Sequence, residues 1–536
     1  MKSILILGAG VMQGPAIRIA TGKGYRVHVA DGNANATHAS MAHRFIHVDL
    51  KDKEALARVA AGIEGLVGVF TAGTDFSASV AWVAERLGLP GIPYEVALDA
   101  SDKARMRRRL SAAGVPVPAF AFGTAADDPE VLATGMDDGS PVRLPLVVKP
   151  VDNMGSRGCR LARSMPELRE AWSDAVGHSR TGRAIVEGYL DGPEFSIDAI
   201  VSKGRIVLRG VADRIVVFKP FFVEMGHTMP SAYGPEVLDE VVAVFEAGVR
   251  ALGISDGAAK GDIKYTRQGA FVGEIAARLS GGYMSGWTYP YSSGIEVTAE
   301  AIDIACGVEP AFADPSANLV CSERAWISIP GTVASIVSAA HADAAHADAA
   351  VIRDVFPRAE PGDRVVFPCN NVEKCGNVIA VAAGRAEADG AAEAAARAML
   401  VRLVPGNPAT QSFIRGDGRV SGLDGSSWPP EAFSGLSAMT LASLDSMPDM
   451  LRTEPPFATV SIAPLRGMRD ESAVDWQGRS VQDALAAVTV LTGAEEGIAG
   501  DLVLGAAFWR AFIRGGYQAG AWVVETAKAR QGNPLA

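Results

Sequence analysis

A lysine at the end of an apolar run, followed by a glycine-rich loop, is the most chemically suggestive feature of this chain. Residues 146–157 read Leu-Val-Val-Lys-Pro-Val-Asp-Asn-Met-Gly-Ser-Arg. Lys149 would leave a buried strand with its ammonium directed at phosphate oxygens. Gly155 and Gly158, with Ser156 between them, would let backbone N–H groups approach those oxygens. The pattern predicts a loop for nucleotide phosphates, although a strand end followed by a solvated turn reads the same way.

A second segment could contact the adenosine part of the same nucleotide. Residues 184–200 read as a strand, a glycine-containing hinge and another strand. The backbone around Glu187 and Tyr189 could offer a donor and an acceptor to the adenine edge. Leu190 could cover the apolar face, and the carboxylate of Glu194 could bind ribose hydroxyls. The alternative is a β-hairpin with surface carboxylates.

A third segment, 260–282, supplies carboxylates and cations on two predicted strands joined by the turn Arg-Gln-Gly. Asp262 and Glu274 would lie on neighbouring strands, and together they would make a hard oxygen site suited to Mg²⁺. Lys260 and Arg278 could face the same side and stabilise charge on a transferring phosphoryl group. Taken one at a time, each of these residues also fits an ordinary surface ion pair.

In this order, the three segments resemble the ATP-grasp ligases, in the branch of carboxylate–amine ligases related to biotin carboxylase and bacterial amino-acid ligases. The resemblance covers roughly residues 1–420 and adds Lys103, which follows Ser-Asp at a predicted helix start. It implies that Lys103 and Lys149 contact ATP phosphates and that the hinge at 187–190 binds adenine. It also implies that the acidic pair holds Mg²⁺, with Mn²⁺ as an alternative, and that Arg278 steadies the reactive intermediate.

One position departs from the family pattern. Many members carry an asparagine two residues after the second acidic ligand, where this chain has Ala276. The departure puts a complete two-metal site in doubt. The surrounding Glu-Ile-Ala-Ala-Arg-Leu-Ser-Gly-Gly resembles the amino-acid-ligase branch, so we interpret Ala276 as a subfamily feature.

The acceptor pocket is predicted from 222–231, Phe-Val-Glu-Met-Gly-His-Thr-Met-Pro-Ser, which resembles a Glu-x-Gly-His-x-x-Pro segment of amino-acid ligases. Glu224 could pair with a substrate amino group, and His227 could bond the substrate or assist proton removal from the amine. The aromatic residues Tyr283, Trp287 and Tyr289 could shape the pocket wall. A surface loop with an incidental histidine is the alternative.

Together these features lead to the hypothesis of an ATP-dependent carboxylate–amine ligase that makes an amide or peptide bond through an acyl phosphate and releases ADP and phosphate. A ligase or carboxylase with another acceptor is the nearest alternative. Gly8 and Gly10 after an apolar strand, with Asp31 ending the next, raise a different class, a dinucleotide-dependent oxidoreductase. Gln13 replaces the third glycine of that fingerprint. A non-catalytic nucleotide-binding protein is the third possibility.

The resemblance implies an α/β and α+β protein with an ATP-grasp fold. We predict a Rossmann-like domain over 1–98, the ATP-grasp domain over 99–315, a C-terminal lid-like α/β domain over 320–425 and a helical extension of unknown role over 431–536. The Gly-, Ser-, Asp- and Pro-rich 416–430 predicts a linker. Apolar spacing predicts helices over 481–491 and 502–524. We interpret the repeat at 341–350 as a solvated helix or loop.

Composition limits the class of protein further. The 536 residues carry a net charge of −11, which argues against nucleic acid as the main partner. Five cysteines without Cys-x-x-Cys spacing fit reduced thiols. No uncharged stretch reaches the roughly 20 residues that span a bilayer. We therefore expect a cytoplasmic homodimer that acts on a small carboxylate and a small amine, with amino acids as first candidates, and that binds neither nucleic acid nor membrane.

Overall fold

The computed structural model describes residues 1–136, 143–311, 314–338, 350–417, 420–421, 427–452 and 456–530. The chain forms two compact units. The first comprises 1–323 and 381–389, and the second comprises 324–380 and 390–536. The repeat at 341–350 lies almost entirely outside the described residues, as does the middle of the predicted linker at 416–430.

The first unit begins with a parallel four-stranded sheet in the order β3-β2-β1-β4. All five residues of β1 are buried, because helices cover both faces of a parallel sheet. The predicted order of strand, glycine turn, helix and second strand is confirmed at this end of the chain. The elements are β1 (Ser3–Leu7), α1 (Gly14–Gly22), β2 (Arg26–Asp31), β3 (Arg44–His47), α2 (Lys53–Ala61), β4 (Leu66–Phe70), α3 (Ser77–Leu87) and α4 (Tyr94–Asp99).

A small antiparallel sheet with the order β5-β8-β6-β7 follows. Its apolar face packs on the helix that contains Leu168, Ala171 and Trp172. Its other face carries Lys149, because side chains alternate along a strand and Val148 and Pro150 are buried on the opposite side. The elements are α5 (Lys103–Ala112), β5 (Phe120–Thr124), α6 (Pro129–Thr134), β6 (Leu146–Pro150), β7 (Arg160–Ala162), α7 (Met165–His178) and β8 (Arg183–Gly188).

A larger antiparallel sheet provides most of the remaining site residues. Within the first unit its strands run β13-β12-β9-β10-β11-β14. The 18-residue helix α8 packs on it through Val241, Phe245 and Val249. The elements are β9 (Glu194–Ser202), β10 (Arg205–Val217), β11 (Val223–Met229), α8 (Pro235–Leu252), β12 (Gly257–Thr266), β13 (Gly269–Ala276), a π-helical turn (Met284–Thr288), α9 (Tyr289–Ser293), α10 (Val297–Ala305) and β14 (Val320–Trp326).

The second unit has its own core, in which Phe433 stacks on Phe512 at 5.1 Å between ring centroids. Its strands include an antiparallel β17-β15-β19 sheet and a parallel β23-β22-β24 sheet. The elements from β15 onward, some of which cross the unit boundary, are β15 (Gly331–Ser338), β16 (Ala350–Pro357), β17 (Arg364–Val365), β18 (Gly376–Ala382), α11 (Arg385–Ala398), β19 (Met399–Leu403), α12 (Pro408–Arg415), β20 (Val420–Ser421), β21 (Ser427–Trp428), α13 (Ala438–Ser446), β22 (Val460–Ile462), α14 (Val481–Thr492), β23 (Glu495–Glu496), β24 (Leu502–Leu504) and α15 (Ala506–Ala529).

The extension differs from its prediction in one respect. The helix at 481–491 is confirmed by α14, but Leu502–Leu504 form a strand and the second helix starts at Ala506. The extension is therefore α/β. Strands of two or three residues are too short to show an alternating pattern, which is why the sequence predicted helices alone. Among the described residues, no helix combines the length and apolar character needed to cross a membrane.

Candidate functional site

The amino terminus of α5 brings three parts of the predicted site together. The Asp102 carboxylate caps the helix by accepting from the N–H groups of Ala104 and Arg105, as the sequence predicts. Lys103, the first helical residue, is thereby held in a buried position. Its Nζ donates to the backbone oxygen of Asn153 at 2.8 Å and lies 3.6 Å from Glu274 Oε2. The helix, the predicted phosphate loop and β13 thus meet at one lysine.

The phosphate loop uses backbone conformations that few side chains tolerate. Gly155, Ser156 and Gly158 have φ values of 68°, 61° and 69°. A Cβ at Gly158 would lie 2.8 Å from His178 Cβ and 2.9 Å from Pro150 Cγ, so this position also needs glycine for space. Such backbone conformations can direct successive N–H groups at one anion.

A buried ion chain supports the second lysine. Lys149 Nζ lies 2.6 Å from one oxygen of Glu187, and Arg107 Nε lies 2.7 Å from the other. Burial alone would raise the pKa of Glu187, but the charges of Arg107 and Lys149 hold it below its ordinary value. We call these three residues the Arg107 chain. The side chain of Arg107 is fully buried.

A β-bulge explains why an arginine is buried there. Across β12 and β13, Asp262 pairs with Glu274 while Ile263 pairs with Val272, so Gly273 is the extra residue. Arg107 Nη2 donates to the Gly273 oxygen at 2.7 Å. A Cβ at Gly273 would lie 2.9 Å from the Asp262 oxygen. The bulge therefore requires glycine, and the guanidinium satisfies its carbonyl.

The two predicted metal ligands face each other. The sequence predicts Asp262 and Glu274 on neighbouring strands, and in the structure they are directly opposed on β12 and β13. Lys260 Nζ contacts Asp262 Oδ2, and Lys103 lies next to Glu274. Burial opposes the ionisation of Glu274, but the cations around it, led by Lys103 and Lys260, lower its pKa to about 2. Two carboxylates on adjacent strands offer hard oxygen donors and fit Mg²⁺.

Beyond this pair, one arginine gathers three carboxylates. Arg214 Nη1 contacts Glu194 Oε1 and lies 2.8 Å from Asp262 Oδ1, and Arg214 Nη2 lies 2.5 Å from Glu224 Oε2. Burial would lower the pKa of Arg214, but the carboxylates, led by Asp262, raise it well above its usual range. We call these four residues the Arg214 cluster. Arg214 stands in no motif that the sequence reveals.

A second bulge turns Glu224 toward the cluster. Residues three apart on a regular strand face opposite sides, yet Glu224 and His227 are both site candidates. Between β10 and β11, Ile215 pairs with Gly226 and Val216 with Glu224, which leaves Met225 as the extra residue. The bulge puts Glu224 on the same face as Arg214 and His227. The spacing Glu-x-Gly-His therefore depends on this irregularity.

His227 is buried and held from both sides. Its Nε2 lies 2.7 Å from the Thr288 hydroxyl, and its Nδ1 lies 3.2 Å from Glu323 Oε2. Thr288 belongs to the π-helical turn, next to the aromatic residues predicted for the pocket wall, and Glu323 belongs to β14, which the sequence did not connect with the site. Nitrogen and carboxylate atoms of Glu224, His227 and Glu323 lie within 4.8 Å of one another. The acceptor end of the site is therefore rich in carboxylate oxygen.

The remaining cations and the loop after β13 lie beside the metal pair. Arg278 donates to the Leu279 oxygen at 2.9 Å and contributes to the low pKa of Glu274. Ser280 donates its N–H and its hydroxyl to the fully buried Asp198 carboxylate at 2.8 and 2.6 Å. Burial, the largest effect, raises the pKa of Asp198. Asp198 thus anchors the loop that carries Arg278, a role the sequence did not reveal.

The predicted adenine hinge has contacts of its own. Glu187 pairs through its backbone with Phe120 and Val147 inside the small sheet. The Tyr189 N–H donates to the Pro145 oxygen at 3.3 Å, and Lys219 Nζ donates to the Tyr189 hydroxyl at 2.5 Å. Leu190 follows this edge without regular secondary structure. The carboxylate of Glu187 thus belongs to the Arg107 chain, in addition to any role of its backbone.

The aromatic residues after β13 lie where the chain turns into the π-helical segment. Tyr283 has a φ of 69° and packs edge-on against Trp287 at 5.5 Å. Tyr283 and Tyr289 are buried. Gly282, directly before them, has a φ of 64°, and a Cβ there would lie 3.3 Å from Glu224 Oε1. The turn therefore runs beside the acceptor end.

The amino-terminal glycine turn is filled by residues of its own domain. The Gly10 N–H donates to Gln13 Oε1 at 3.0 Å, and a Cβ at Gly8 would lie 2.9 Å from the Gln13 side chain. The Asp31 carboxylate accepts from the Ala9 N–H at 2.8 Å. Gln13 occupies the space where a pyrophosphate would approach the glycines, which favours a Rossmann-like domain without a dinucleotide.

Comparison with known proteins agrees with this geometry. Residues 142–286 match the ATP-grasp domain, and residues 325–404 match the L-amino acid ligase C-terminal domain 2. The structure resembles the L-amino acid ligase from Bacillus licheniformis with a TM-score of 0.63 at 20% identity, over 75% of this chain and 99% of that one. At this identity the likeness shows the fold.

Two curated relatives match part of the chain. An uncharacterized protein, y4rH, of Sinorhizobium fredii is 27% identical over 60% of this chain and 66% of its own length. Carnosine synthase 1 of Mus musculus is 26% identical over 58% of this chain and 40% of its own length. The chain thus spans less than two thirds of either relative. Together with the opposed carboxylates, these matches show that the chain contains an ATP-grasp domain over 142–286 and an L-amino acid ligase C-terminal domain 2 over 325–404.

Proposed function

We propose that this protein is an ATP-dependent carboxylate–amine ligase that joins two small metabolites, with amino acids as the first candidates, through an acyl phosphate. The observation that carries the proposal is the opposed pair Asp262 and Glu274, with Lys260 on one carboxylate and Lys103 beside the other. This arrangement combines a metal site with cations for phosphate oxygens, which phosphoryl transfer requires. Carnosine synthase and L-amino acid ligase among the similar proteins support the choice of reaction.

The proposed chemistry has two steps. A carboxylate oxygen of the first substrate attacks the γ-phosphorus of ATP, the bond from that phosphorus to the bridging oxygen breaks, and ADP leaves. The amine nitrogen of the second substrate then attacks the acyl carbon, loses a proton and expels phosphate. Mg²⁺ bound to Asp262 and Glu274 would neutralise charge on the phosphate oxygens. Mn²⁺ offers the same chemistry.

The chain's own residues would position these groups. Lys103 and Lys149 would bind phosphate oxygens together with the backbone of 153–158, and Glu194 would bind the ribose. Lys260 and Arg278 would stabilise charge on the phosphoryl group in transit. Catalysis by position and charge needs no covalent intermediate on the protein. In agreement, burial raises the pKa of Cys159, beside the phosphate loop, to about 11, so this thiol is not poised as a nucleophile.

The acceptor end would bind the substrate amino group. Glu224 is half-buried and can pair with an ammonium in addition to its contact with Arg214. His227 has Thr288 and Glu323 as partners. A substrate bond to His227 Nε2 would therefore replace the Thr288 hydroxyl. From there the imidazole could accept a proton from the attacking amine. We keep both residues as acceptor-site candidates.

The experiment that tests this function is product analysis of the purified protein with Mg²⁺, ATP and pools of amino and hydroxy acids. ADP and phosphate formed only with particular acid and amine pools are the expected result. AMP and pyrophosphate would contradict the mechanism. Nucleotide binding without turnover across the pools would favour the non-catalytic alternative. A homodimeric state and a cytoplasmic location stay predictions, to be checked by light scattering and by fractionation of cells.

A further inference from the structure

Arg214 contacts three carboxylates, and a different role in the site is proposed for each of them. Glu194 is the candidate for the ribose, Asp262 for the metal and Glu224 for the substrate amino group. The guanidinium contacts all three through two of its nitrogens. Its fork of donors can bridge carboxylates that lie in different directions, which a lysine cannot do. No other side chain described above joins the nucleotide end to the acceptor end in this way.

The sheet explains how the four side chains converge. Arg214 on β10 is directly opposite Glu194 on β9, and Asp262 on β12 is opposite Ser196, two residues from Glu194. These side chains share one face because the period of a strand is two. The bulge in β11 adds Glu224 to the same face. Backbone pairing therefore sets the cluster, and the side chain of Arg214 is only 10% exposed.

The charges of the cluster and its two lysines balance. Lys264 lies 3.2 Å from Glu194, and Lys260 contacts Asp262. With Arg214, three cations meet three carboxylates. Removal of the guanidinium would leave two cations for the same three acids. An uncompensated charge is costly there because the cluster is largely buried. A divalent cation could then restore the balance.

We propose that Arg214 is a positioning residue that couples nucleotide binding to the acceptor site. Before nucleotide arrives, it holds Asp262 and Glu194 in place and keeps the carboxylates from binding a metal ion alone. When these two acids engage metal and ribose, the guanidinium contacts Glu224 alone and fixes the acid that receives the amine. Metal and nucleotide therefore bind together, and the acceptor site is completed after them. The proposal rests on the proposed function for the three tasks.

The test compares Arg214→Met with Arg209→Met, a matched control. Arg209 lies on the same strand, but its side chain is 48% exposed and its nearest acid, Glu246, is 3.7 Å away. Melting temperatures are measured with no addition, with MgCl₂ alone, and with Mg²⁺ plus a non-hydrolysable imido analogue of ATP. MgCl₂ alone is expected to leave the wild type and Arg209→Met unchanged and to raise the melting temperature of Arg214→Met by about 2–4 °C.

An equal response of Arg214→Met and Arg209→Met to MgCl₂ alone would overturn the proposal. If Arg214→Met does not yield folded protein, Arg214→Lys takes its place, because one ammonium cannot span three acids. Its expected response lies between those of the wild type and the methionine variant, and a response equal to that of Arg209→Met would overturn the proposal too. Failure of the ATP analogue to stabilise the wild type would instead refute the nucleotide site of the proposed function.

Discussion

The phosphate end and the acceptor end of the site are built with opposite polarity. At the phosphate end, the functional groups are Lys103 and Lys149. Their ammonium groups form ion pairs with Glu274 and Glu187. At the acceptor end, the groups nearest the proposed amine are the acids Glu224 and Glu323, held by Arg214 and His227. One end is thus prepared for an anion and the other for a cation. A ligase that brings a phosphorylated acid to an ammonium-bearing substrate needs this polarity.

The largest loss of activity is expected when one carboxylate between the two ends of the site is removed. Glu274→Gln is expected to lower kcat by about 10⁴-fold, or ~5.5 kcal/mol, because it takes an ionised ligand from the metal pair. The measurement is release of ADP as a function of Mg²⁺ concentration. Glu246→Gln is the control and should keep full activity, because Glu246 is partly exposed and lies 3.7 Å from Arg209 and 3.8 Å from Arg250. Unchanged turnover in Glu274→Gln would mean that the metal lies elsewhere.

Arg107→Met tests whether the Arg107 chain stabilises the phosphate end of the site. Removing the guanidinium leaves Glu187 buried beside a single lysine and the Gly273 carbonyl unpaired, which we expect to cost about 3–5 kcal/mol of unfolding free energy. Chemical denaturation measures the loss. Arg108→Met is the matched control, because the neighbouring Arg108 is exposed and lies over the Phe122 ring, and we expect it to cost below ~1 kcal/mol. Equal losses in the two variants would show that the Arg107 chain does not contribute specifically to the unfolding free energy.

A smaller effect is expected at the acceptor end. His227→Ala should raise the KM for the amine about tenfold, or ~1.4 kcal/mol, and leave the KM for ATP within about twofold, because the imidazole contacts Thr288 and Glu323 at the acceptor end. Steady-state kinetics with each substrate varied in turn separates the two constants. His47→Ala, on the exposed end of β3, is the control. An equal rise in the KM for ATP would assign His227 to the nucleotide end.

The smallest effect concerns the thiol beside the phosphate loop. Cys159→Ser is expected to change kcat less than about twofold, since a thiol whose pKa is raised to about 11 stays protonated at neutral pH. The same ADP-release assay measures it, and a melting curve checks that the variant is folded. A loss above about a hundredfold would point to covalent catalysis and would contradict catalysis by position alone.

The two ends also differ in how far the sequence could predict them. Asp262 and Glu274 could be placed on neighbouring strands because a short turn joins those strands into a hairpin. The bulge at Gly273 then brings the two residues opposite each other. Lys149 and the glycine loop could be recognised because strand, lysine and glycines follow one another directly. These local relations survive in the structure.

Other site residues could not be predicted, because their partners lie far away along the chain. Arg107 meets Glu187 eighty residues later, and it is buried because a bulge at Gly273 leaves a carbonyl to satisfy. Arg214 acquires its three acids only when β9, β10, β11 and β12 are neighbours in one sheet. Bulges have no reliable sequence signal, so the common orientation of Glu224 and His227 could be proposed only from a family pattern.

The central claim is that the carboxylate substrate is activated by phosphorylation, and transfer of an oxygen label tests it most directly. A carboxylate substrate from an active pool is labelled with ¹⁸O at both oxygens, and the products are analysed by mass spectrometry. The account predicts one ¹⁸O in the released phosphate and one in the amide carbonyl, because the attacking oxygen stays on phosphorus when the amine expels phosphate. Label in AMP, or phosphate without label, would contradict it.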